Sequence, residues 1–335
     1  MQTDIWWIRI FDFPRPQIAA LLALVALAAA LFLNHRRWTT WALLTGMVTS
    51  LGLQLSHIWP YTALHSVQAE AVLGCDERQR ISVVVANLQA SNSGAARFLN
   101  VVRDVDPDVI FVVEVDRGWA DALRPLERSH VEHRVHPRDD AWGLALYSRL
   151  PLVEPELRHL LSDYVPSIRS GLRLRSGEVV QFQGLHPKPP IPGNGTSERD
   201  AELLLAAQAA REGSAPAIIG GDLNDVAWSD TTQLFQRIGG LLDPRVGRGL
   251  FATWNANLPA LLRWPLDHIF FTAELRLLEV RRLPAVGSDH FPIMVALCHR
   301  PMESRPARQA LSPTEDDLLR AREVIEKGRS DARRG

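Results

Sequence analysis

The sequence predicts a layered α/β sandwich preceded by transmembrane helices at its N-terminus. Beyond about residue 80, β-branched runs such as ISVVVANL (81–88) alternate with helix-like stretches, and several predicted strands follow one another directly. Before about residue 60, two uncharged apolar stretches each approach the roughly 20 residues that span a bilayer. The 335 residues suffice for one large domain with additional segments.

The two apolar stretches predict a membrane anchor over residues 1–60. The run QIAALLALVALAAALFL (17–33) predicts one transmembrane helix. A second is predicted by WTTWALLTGMVTSLGLQLSHIW (38–59), which has Trp at both ends, as expected for interface anchors. A cleaved signal peptide is the alternative, because Arg9 and Arg15 precede the apolar core. The second stretch and the lack of a small-residue cleavage site favour the anchor.

Positive charges near the two stretches bear on the orientation of the chain in a membrane. Arg36 and Arg37 lie in the connection NHRRW, and positive residues favour the cytoplasmic side. If both helices span, the N-terminus and everything after about residue 60 lie outside the cytoplasm. Arg9 and Arg15 favour the opposite orientation.

After a polar linker at 61–80, strands and helices alternate in a domain predicted over residues 81–298. The elements in chain order are a strand at 81–88, a helix, Pro turn and strand within 94–115, a strand at 143–152, two short strands around a Ser-Gly turn within 173–185, a helix at 197–211, a strand within 215–225, two strands within 266–284 and a last strand at 291–298. The polar tail, 299–335, contains one capped helix after Ser312, which we expect outside the core.

Charge and cysteine content exclude some classes of protein. Lys and Arg number 37 against 38 Asp and Glu, so no overall positive charge indicates a nucleic-acid partner. A locally basic groove is not excluded by this balance. The two cysteines, Cys75 and Cys298, are too few for a disulfide scaffold or a zinc cluster.

Polar residues flank the apolar strands at one predicted rim of the sheets. Asn87, Glu114, His186, Asp222 and Asn224 follow strands, whereas Asp267, Asp289 and His290 stand at strand starts. Carboxylate and amide oxygens without a thiolate suit Mg²⁺ or Mn²⁺, and such a site suits hydrolysis of a phosphate ester by water. Ser288, Asp289 and His290 have the residue types of a hydrolytic triad, but adjacency in sequence does not build one. We therefore expect Ser288 to be a turn residue.

Seven motifs in order carry a resemblance to a known family. They are VVVANL, IFVVEV, GLALYSRLPL, QGLHPKPP, GGDLND, PLDHIFF and VGSDHFPI. Together they resemble the endonuclease/exonuclease/phosphatase superfamily over residues 81–298, most of all its bacterial members with N-terminal membrane helices. The resemblance implies a deoxyribonuclease I-like fold, a four-layer α/β/β/α sandwich of two mixed β-sheets preceded by N-terminal transmembrane helices. It also implies a divalent-metal-dependent phosphoesterase.

The resemblance assigns the metal to three residues. Asn87 and Glu114 would hold Mg²⁺ or Mn²⁺, Glu114 directly, and Asp289 would join the metal side. The family motif often reads Gln-Glu at the end of the second strand, whereas this chain has Val113-Glu114. That departure makes the surroundings of Glu114 less polar and leaves the ligand in place.

The resemblance also assigns the catalytic groups. Asp222 would orient the attacking water, and Asn224 would hydrogen-bond the phosphoryl group. His290 would contact a non-bridging oxygen or act as the base, with Asp267 holding its imidazole. His186 would assist the leaving group. The loop PKPPIPGNG (187–195) would form one wall of the cleft or a plain surface loop.

The implied fold also bears on the cysteines and on localisation. Strands 81–87 and 291–298 carry site residues at opposite ends, so they run in opposite directions. If they are neighbours, Cys75 approaches Cys298 and a disulfide can form; two unrelated buried thiols are the alternative. A disulfide agrees with an exported domain. We therefore expect a protein of the bacterial inner membrane whose catalytic domain is periplasmic or extracellular.

Several functions share this chemistry. The leading prediction is a membrane-anchored phosphoesterase. The alternatives are a nuclease acting on DNA, a phospholipid or head-group phosphodiesterase, and a non-catalytic membrane scaffold. The expected partners are the lipid bilayer and a phosphate-ester substrate (nucleic acid, phospholipid or small molecule), with no obligate protein partner. Specificity in such folds resides in loops, so the motifs do not name the substrate.

Overall fold

Two mixed β-sheets form the centre of the computed structural model, which describes residues 3–191, 195–300 and 311–334. The strands in these residues are β1 (Arg80–Asn87), β2 (Val109–Val113), β3 (Glu132–His136), β4 (Leu144–Ser148), β5 (Leu152–Arg158), β6 (Ser167–Arg173), β7 (Val179–Leu185), β8 (Ala217–Asp222), β9 (Leu241–Leu242), β10 (Asp267–Thr272), β11 (Leu275–Arg282) and β12 (Ile293–His299). The first sheet has the order β11-β12-β1-β2-β4-β3 and the second β5-β6-β7-β8-β10-β9. Each contains one parallel pair, β1 with β2 and β7 with β8.

The sheets pack face to face over an apolar core. Alternate residues of β1, Val83 and Val85, point into this core because successive strand side chains face opposite sides. Phe111 of the first sheet meets Phe182 of the second edge to face, with ring centroids 5.7 Å apart. The other side of β1 is also buried, which explains why its sequence reads as a continuous apolar run.

Helices cover both outer faces of the sheets. The helices of the described residues are α1 (Trp6–Arg9), α2 (Arg15–Phe32), α3 (Trp38–Ile58), α4 (Ala95–Val105), α5 (Arg117–Leu123), α6 (Ser197–Glu212), α7 (Asp230–Gly239) and α8 (Glu315–Ala332). Phe98 of α4 and Trp119 of α5 pack on the first sheet. Leu203 of α6 and Phe235 of α7 pack on the second. The four-layer α/β/β/α order with two mixed sheets agrees with the prediction.

Several element predictions were wrong in detail. The strand predicted at 143–152 is two strands, β4 and β5, which belong to different sheets and are separated by a turn at Arg149–Pro151. Strand β3 (EHRVH) escaped prediction because it is a partly exposed, charged edge strand with little apolar signal. Helices α5 and α7 also lie where no helix was predicted.

The tail helix α8 packs on the domain, so the expectation that it lies outside the core was wrong. Ala321 and Ile325 are buried in the same apolar cluster as Leu204 of α6. Gly328 allows the helix to come close, because a Cβ there would lie 2.4 Å from the Cβ of Ala201. The apolar stripe of α8 is only one residue wide at each turn, which makes its sequence look polar throughout.

The predicted linker at 61–80 also contacts the sheets. Tyr61 and Ala69 are buried, and Ala71 forms a parallel bridge with Leu277. Strands β1 and β12 are antiparallel neighbours with Arg80 opposite Cys298. Cys75 and Cys298 form a disulfide, the first of the two alternatives for these cysteines.

Helices α2 and α3 pack against each other as a hairpin with many exposed apolar side chains. Within the described residues, α2 is the one helix whose length and apolar composition would allow it to cross a membrane. Helix α3 forms over its predicted range without meeting the same criterion. Of the two predicted transmembrane helices, only α2 meets the criterion within the described residues.

Candidate active site

The predicted site residues converge on one edge of the two sheets. The carboxyl ends of β1, β2, β7 and β8 meet the amino ends of β10 and β12 there. One cavity at this edge is lined by seven of the eight predicted residues: Asn87, Glu114, His186, Asp222, Asn224, Asp289 and His290. The eighth, Asp267, is fully buried behind His290.

The backbone is unusual at three positions around this edge. A Cβ on Gly221 would lie 1.8 Å from the carbonyl oxygen of Leu185, so the GGD motif needs glycine before Asp222. Glu114 and Asn224 have φ values of 58° and 50°, a left-handed conformation that non-glycine residues rarely adopt. Such strain costs about 1–3 kcal/mol and is concentrated at functional sites.

Asn87 connects the carboxylates of the two sheets. Its Nδ2 donates to Glu114 Oε1 at 2.8 Å and to Asp222 Oδ2 at 3.0 Å. Its Oδ1 accepts from the backbone N–H of Gln89 at 2.9 Å. Asn87 therefore fixes the spacing between Glu114, at the end of the first sheet, and Asp222, at the end of the second.

Asp289 is held from two sides by residues that sequence reasoning missed. The indole Nε1 of Trp254 donates to Asp289 Oδ2 at 3.0 Å, and the backbone N–H of Asp289 donates to Gln89 Oε1 at 3.1 Å. Gln89 lies two positions after Asn87, and that proximity was a usable signal. Trp254 lies in an irregular loop, and nothing in the local sequence indicates its contact.

His290 lies between two carboxylates. Its Nδ1 is 2.7 Å from Asp267 Oδ2, and its Nε2 is 3.6 Å from Asp222 Oδ2. Burial alone lowers the pKa of His290, but the attraction of Asp267 and then of Asp222 outweighs it and raises the pKa to about 10. The ring is therefore held as a cation that donates from Nδ1 to Asp267 and presents Nε2 to the cavity.

His186 and Asn224 complete the side of the cavity formed by the second sheet. His186 Nε2 lies 3.8 Å from Asp222 Oδ2, and its ring packs against Trp142 with centroids 5.2 Å apart. Asn224 donates from its backbone N–H to Asp222 Oδ1 at 3.0 Å and from Nδ2 to the carbonyl of Pro187 at 3.0 Å. These contacts fix both side chains beside Asp222.

Ser288 forms hydrogen bonds within the turn before β12. Its Oγ donates to the carbonyl oxygen of Asn87 at 2.8 Å and accepts from the backbone N–H of His290 at 3.0 Å. The side chain is buried. These bonds fit the predicted turn residue, and they tie β12 to the end of β1.

The charge of the cavity fits a bound divalent cation. Glu114, Asp222 and Asp289 line it, and neither Lys nor Arg is among its described lining residues. Oxygen donors without thiolate are those of Mg²⁺ or Mn²⁺. Asp222, Asp267 and His290 also bring one ligand-type atom each within 4.8 Å of one another. In that group the close approach of His290 to Asp267 is a hydrogen bond.

Comparison with known proteins identifies the family. A model of the Endonuclease/Exonuclease/phosphatase family matches residues 84–290, more than half of the chain. This protein belongs to that family. Members of the endonuclease/exonuclease/phosphatase family hydrolyse phosphate esters and generally depend on a metal. A search of curated proteins by sequence gave no match.

Solved structures show the same fold at low sequence identity. An endonuclease/exonuclease/phosphatase from Bacteroides vulgatus is 16% identical, with a TM-score of 0.55 over 66% of this chain and 99% of its own. TDP2 of D. rerio, complexed with a single-strand DNA product, is 18% identical with a TM-score of 0.54 over 65% and 98%. The human Nocturnin catalytic domain with bound sulfate is 19% identical with a TM-score of 0.54 over 68% and 96%.

Proposed function

We propose that this protein is a membrane-anchored phosphoesterase that depends on a divalent cation, Mg²⁺ or Mn²⁺, and hydrolyses a phosphate ester by attack of water. The observation that carries the proposal is the meeting of Asn87, Glu114 and Asp222 from two sheets beside His290. Metal-assisted hydrolysis needs a metal ligand, a group that orients water and a donor for the phosphoryl oxygens, all close to the phosphorus atom of the substrate.

Each side chain has a role that its contacts support. Asp222 accepts hydrogen bonds on both oxygens and is rigidly placed to orient the attacking water. His290, charged and held by Asp267, donates from Nε2 to a non-bridging phosphoryl oxygen. Asn224, held beside Asp222, donates to the phosphoryl group. His186, whose Nε2 is 3.8 Å from Asp222 Oδ2, protonates the leaving oxygen. A charged His290 favours contact with phosphoryl oxygen over action as a base.

A divalent cation would be held by Glu114, with Asn87 and Asp289 beside it. When bound, it would neutralise negative charge that develops on the phosphoryl oxygens. The carboxylates in the cavity support this assignment, because Glu114, Asp222 and Asp289 repel one another and neither Lys nor Arg is among the described lining residues.

The proposed localisation is the bacterial inner membrane, with the catalytic domain on the periplasmic or extracellular side. The exposed apolar surfaces of α2 and α3 support insertion of the hairpin. The disulfide between Cys75 and Cys298 supports an oxidising compartment. A reporter enzyme active only after export, fused after residue 75, tests the orientation, and activity of a cytoplasmic reporter at that point overturns it.

The hydrolytic proposal is tested with the full chain purified in detergent. We expect p-nitrophenyl phosphate or bis-p-nitrophenyl phosphate to be hydrolysed with Mg²⁺ or Mn²⁺ and not with a chelator. Asp222→Ala should lower the rate at least 10³-fold, on the order of the loss seen for central catalytic groups. Activity that survives both the chelator and Asp222→Ala contradicts the mechanism. Calorimetry without any cation binding would instead favour a non-catalytic scaffold.

A nuclease is the second candidate, because one structural neighbour is described with a single-strand DNA product. Proteins that follow a nucleic-acid backbone place Lys and Arg along it, which makes binding sensitive to salt. The described lining of this cavity contains neither residue. Nicking of plasmid DNA that weakens steeply with salt would favour the nuclease.

A further inference from the structure

The residues before α2 are part of the catalytic domain. Arg9 is buried, and its guanidinium donates to Asp200 at 2.9 Å and to Asp225 at 3.2 Å. The indole of Trp228 donates to the carbonyl oxygen of Asp12 at 2.6 Å. These contacts fix the segment 3–14, which we call the N-terminal strap, against the second sheet and its helices.

The strap supplies one wall of the catalytic cavity. Four strap residues within 10–14 line the cavity: Ile10, Phe11, Phe13 and Pro14. The other apolar residues that line the cavity are Ala141, Trp142, Pro189, Pro190, Ile191, Trp254, Trp264 and Leu266. The rings of Phe13 and Trp264 pack edge to face, with their centroids 6.0 Å apart, so the strap contacts another part of the cavity wall. Of the two alternatives for the loop at 187–195, the cleft wall holds for residues 189–191, while 192–194 lie outside the described residues.

The cavity combines a polar end with a long apolar remainder. Its volume is about 740 Å³, which exceeds what a phosphate group needs and lies within the range of cavities that enclose a whole organic ligand. The base of a nucleotide could stack on these aromatic rings, but the hydroxyls of a sugar and the hydrogen-bonding edges of a base would face Phe, Pro and Trp without polar partners, which is costly. A hydrocarbon chain has no such groups and gains from burial there.

The strap wall continues directly into the candidate membrane helix. Pro14 precedes α2, whose first turn contains Gln17. The Nε2 of Gln17 donates to the carbonyl oxygen of Leu261 at 2.6 Å, and Trp264 donates from Nε1 to Gln17 Oε1 at 3.2 Å. Leu261 is 85% exposed, and Phe11 is 52% exposed. An exposed apolar loop and an exposed part of the cavity wall thus flank the point where the proposed membrane segment begins.

We propose that the substrate is a lipid phosphate ester whose hydrocarbon part occupies the apolar cavity and which enters from the bilayer beside the strap. This inference rests on the proposed function, since it names the substrate class of the same site. The reaction is unchanged: the water oxygen bonds to phosphorus, the bond from phosphorus to the leaving oxygen breaks, and that oxygen takes a proton. The phosphate lies at the polar end, near Glu114 and Asp222.

A series of soluble inhibitors tests the cavity without a membrane. The full chain in detergent hydrolyses a p-nitrophenyl substrate, and the inhibition of this reaction by n-alkylphosphonates of increasing chain length is measured. Each inhibitor is kept below its critical micelle concentration. Burial of one methylene is worth about 0.8 kcal/mol, so inhibition should strengthen about threefold to fourfold per methylene until the cavity is full. Inhibition that does not depend on chain length overturns the inference.

Two variants test whether the dependence of inhibition on chain length arises in this cavity. Ile191→Asp and Phe11→Asp each place a charge in the cavity lining, at side chains that are 48% and 52% exposed, so neither change disrupts a packed core. Both should flatten the dependence on chain length to less than about twofold per methylene. Leu157→Asp is the matched control, because Leu157 is 42% exposed and does not line the cavity. An equal effect of the control overturns the assignment of the cavity.

Vesicles test entry from the bilayer. The full chain is reconstituted in phosphatidylcholine vesicles that contain phosphatidic acid or phosphatidylglycerol, and release of phosphate or of head group is compared with hydrolysis of the p-nitrophenyl substrate. Leu261→Asp and Phe11→Asp should lower the ratio of lipid to soluble hydrolysis at least tenfold, whereas Leu157→Asp should not. Soluble hydrolysis with no preference for lipid refutes this inference alone. Failure of the wild type to hydrolyse either substrate with any divalent cation refutes the proposed function instead.

Discussion

His290 Nδ1 and Asp267 Oδ2 lie 2.7 Å apart although 23 residues separate them in sequence. Asp267 is the first residue of β10, in the second sheet, and His290 precedes β12, in the first. The hydrogen bond therefore joins the two sheets at their active edge. It also fixes which nitrogen of the imidazole faces the cavity, because Nδ1 is occupied.

We predict that Asp267→Asn lowers kcat by about 10²- to 10⁴-fold, the range found when the carboxylate that orients a catalytic histidine is replaced. Asp267 is a positioning residue that acts through His290, so KM should change little. Steady-state kinetics on a p-nitrophenyl substrate measure both constants. The double variant Asp267→Asn with His290→Ala should be no slower than His290→Ala alone. Additive losses would mean that Asp267 acts independently of His290.

The disulfide provides a prediction on stability. Cys75 and Cys298 close a loop with a sequence separation of 223, and the chain-entropy account gives up to about 5 kcal/mol for loops of this length. Cys75→Ser should therefore lower the melting temperature of the full chain in detergent. The reduced wild-type protein should have the same melting temperature as the Cys75→Ser variant. Reductant should not lower the melting temperature of the variant any further. If reductant leaves the wild-type melting temperature unchanged, the bond contributes nothing to stability.

The sequence predicted the edge of the sheets that carries the chemistry, and the reason is local. Each predicted site residue adjoins an apolar strand, and strand ends in layered α/β folds meet at shared edges. Asn87, Asp222 and His290 could therefore be placed together without knowledge of sheet order. The opposite directions of β1 and β12 likewise allowed the disulfide on the condition that the two strands are neighbours, and the structure meets that condition.

The contacts that sequence reasoning missed are long-range. Arg9 looked like a membrane-flanking charge, yet its partners Asp200 and Asp225 lie 191 and 216 residues away. Trp254 stands in a loop without periodicity, so its bond to Asp289 has no local signal. Helix α8 looked detached because its buried stripe is narrow. In each case the deciding interaction joins segments that only the tertiary fold brings together.

The tail helix should contribute to global stability. Ile325 is 4% exposed in the cluster shared by α6 and α8, whereas Leu319, on the same helix, is 55% exposed. Ile325→Ala should lower the free energy of unfolding by about 2–4 kcal/mol, the usual cost for a buried aliphatic side chain. Leu319→Ala should change it by less than about 0.5 kcal/mol. Chemical unfolding in detergent compares the two, and equal effects would indicate that α8 is detached in solution.

Glu202 makes stability depend on pH. Burial, with a smaller contribution from the negative charge of nearby Glu198, raises the pKa of Glu202 to about 8, although Lys188 opposes the rise. Because the pKa in the folded state is above that in the unfolded chain, near 4.5, the folded state holds the proton more tightly between these values. The contribution of Glu202 is therefore most favourable below pH 4.5, and it is lost as the pH rises through 8.

Replacement of Glu202 tests this dependence. Glu202→Gln keeps the shape without a charge, so it should raise the free energy of unfolding by about 1–3 kcal/mol at pH 8.5 and by much less at pH 4.5. Glu212→Gln, at an exposed position on the same helix, is the control. It should change the free energy of unfolding equally at both pH values. Melting temperatures at fixed ionic strength and cation concentration measure the difference. A Glu202→Gln variant no more stable than wild type at pH 8.5 would show that Glu202 is ionised at little cost, through water or a cation that reaches α6.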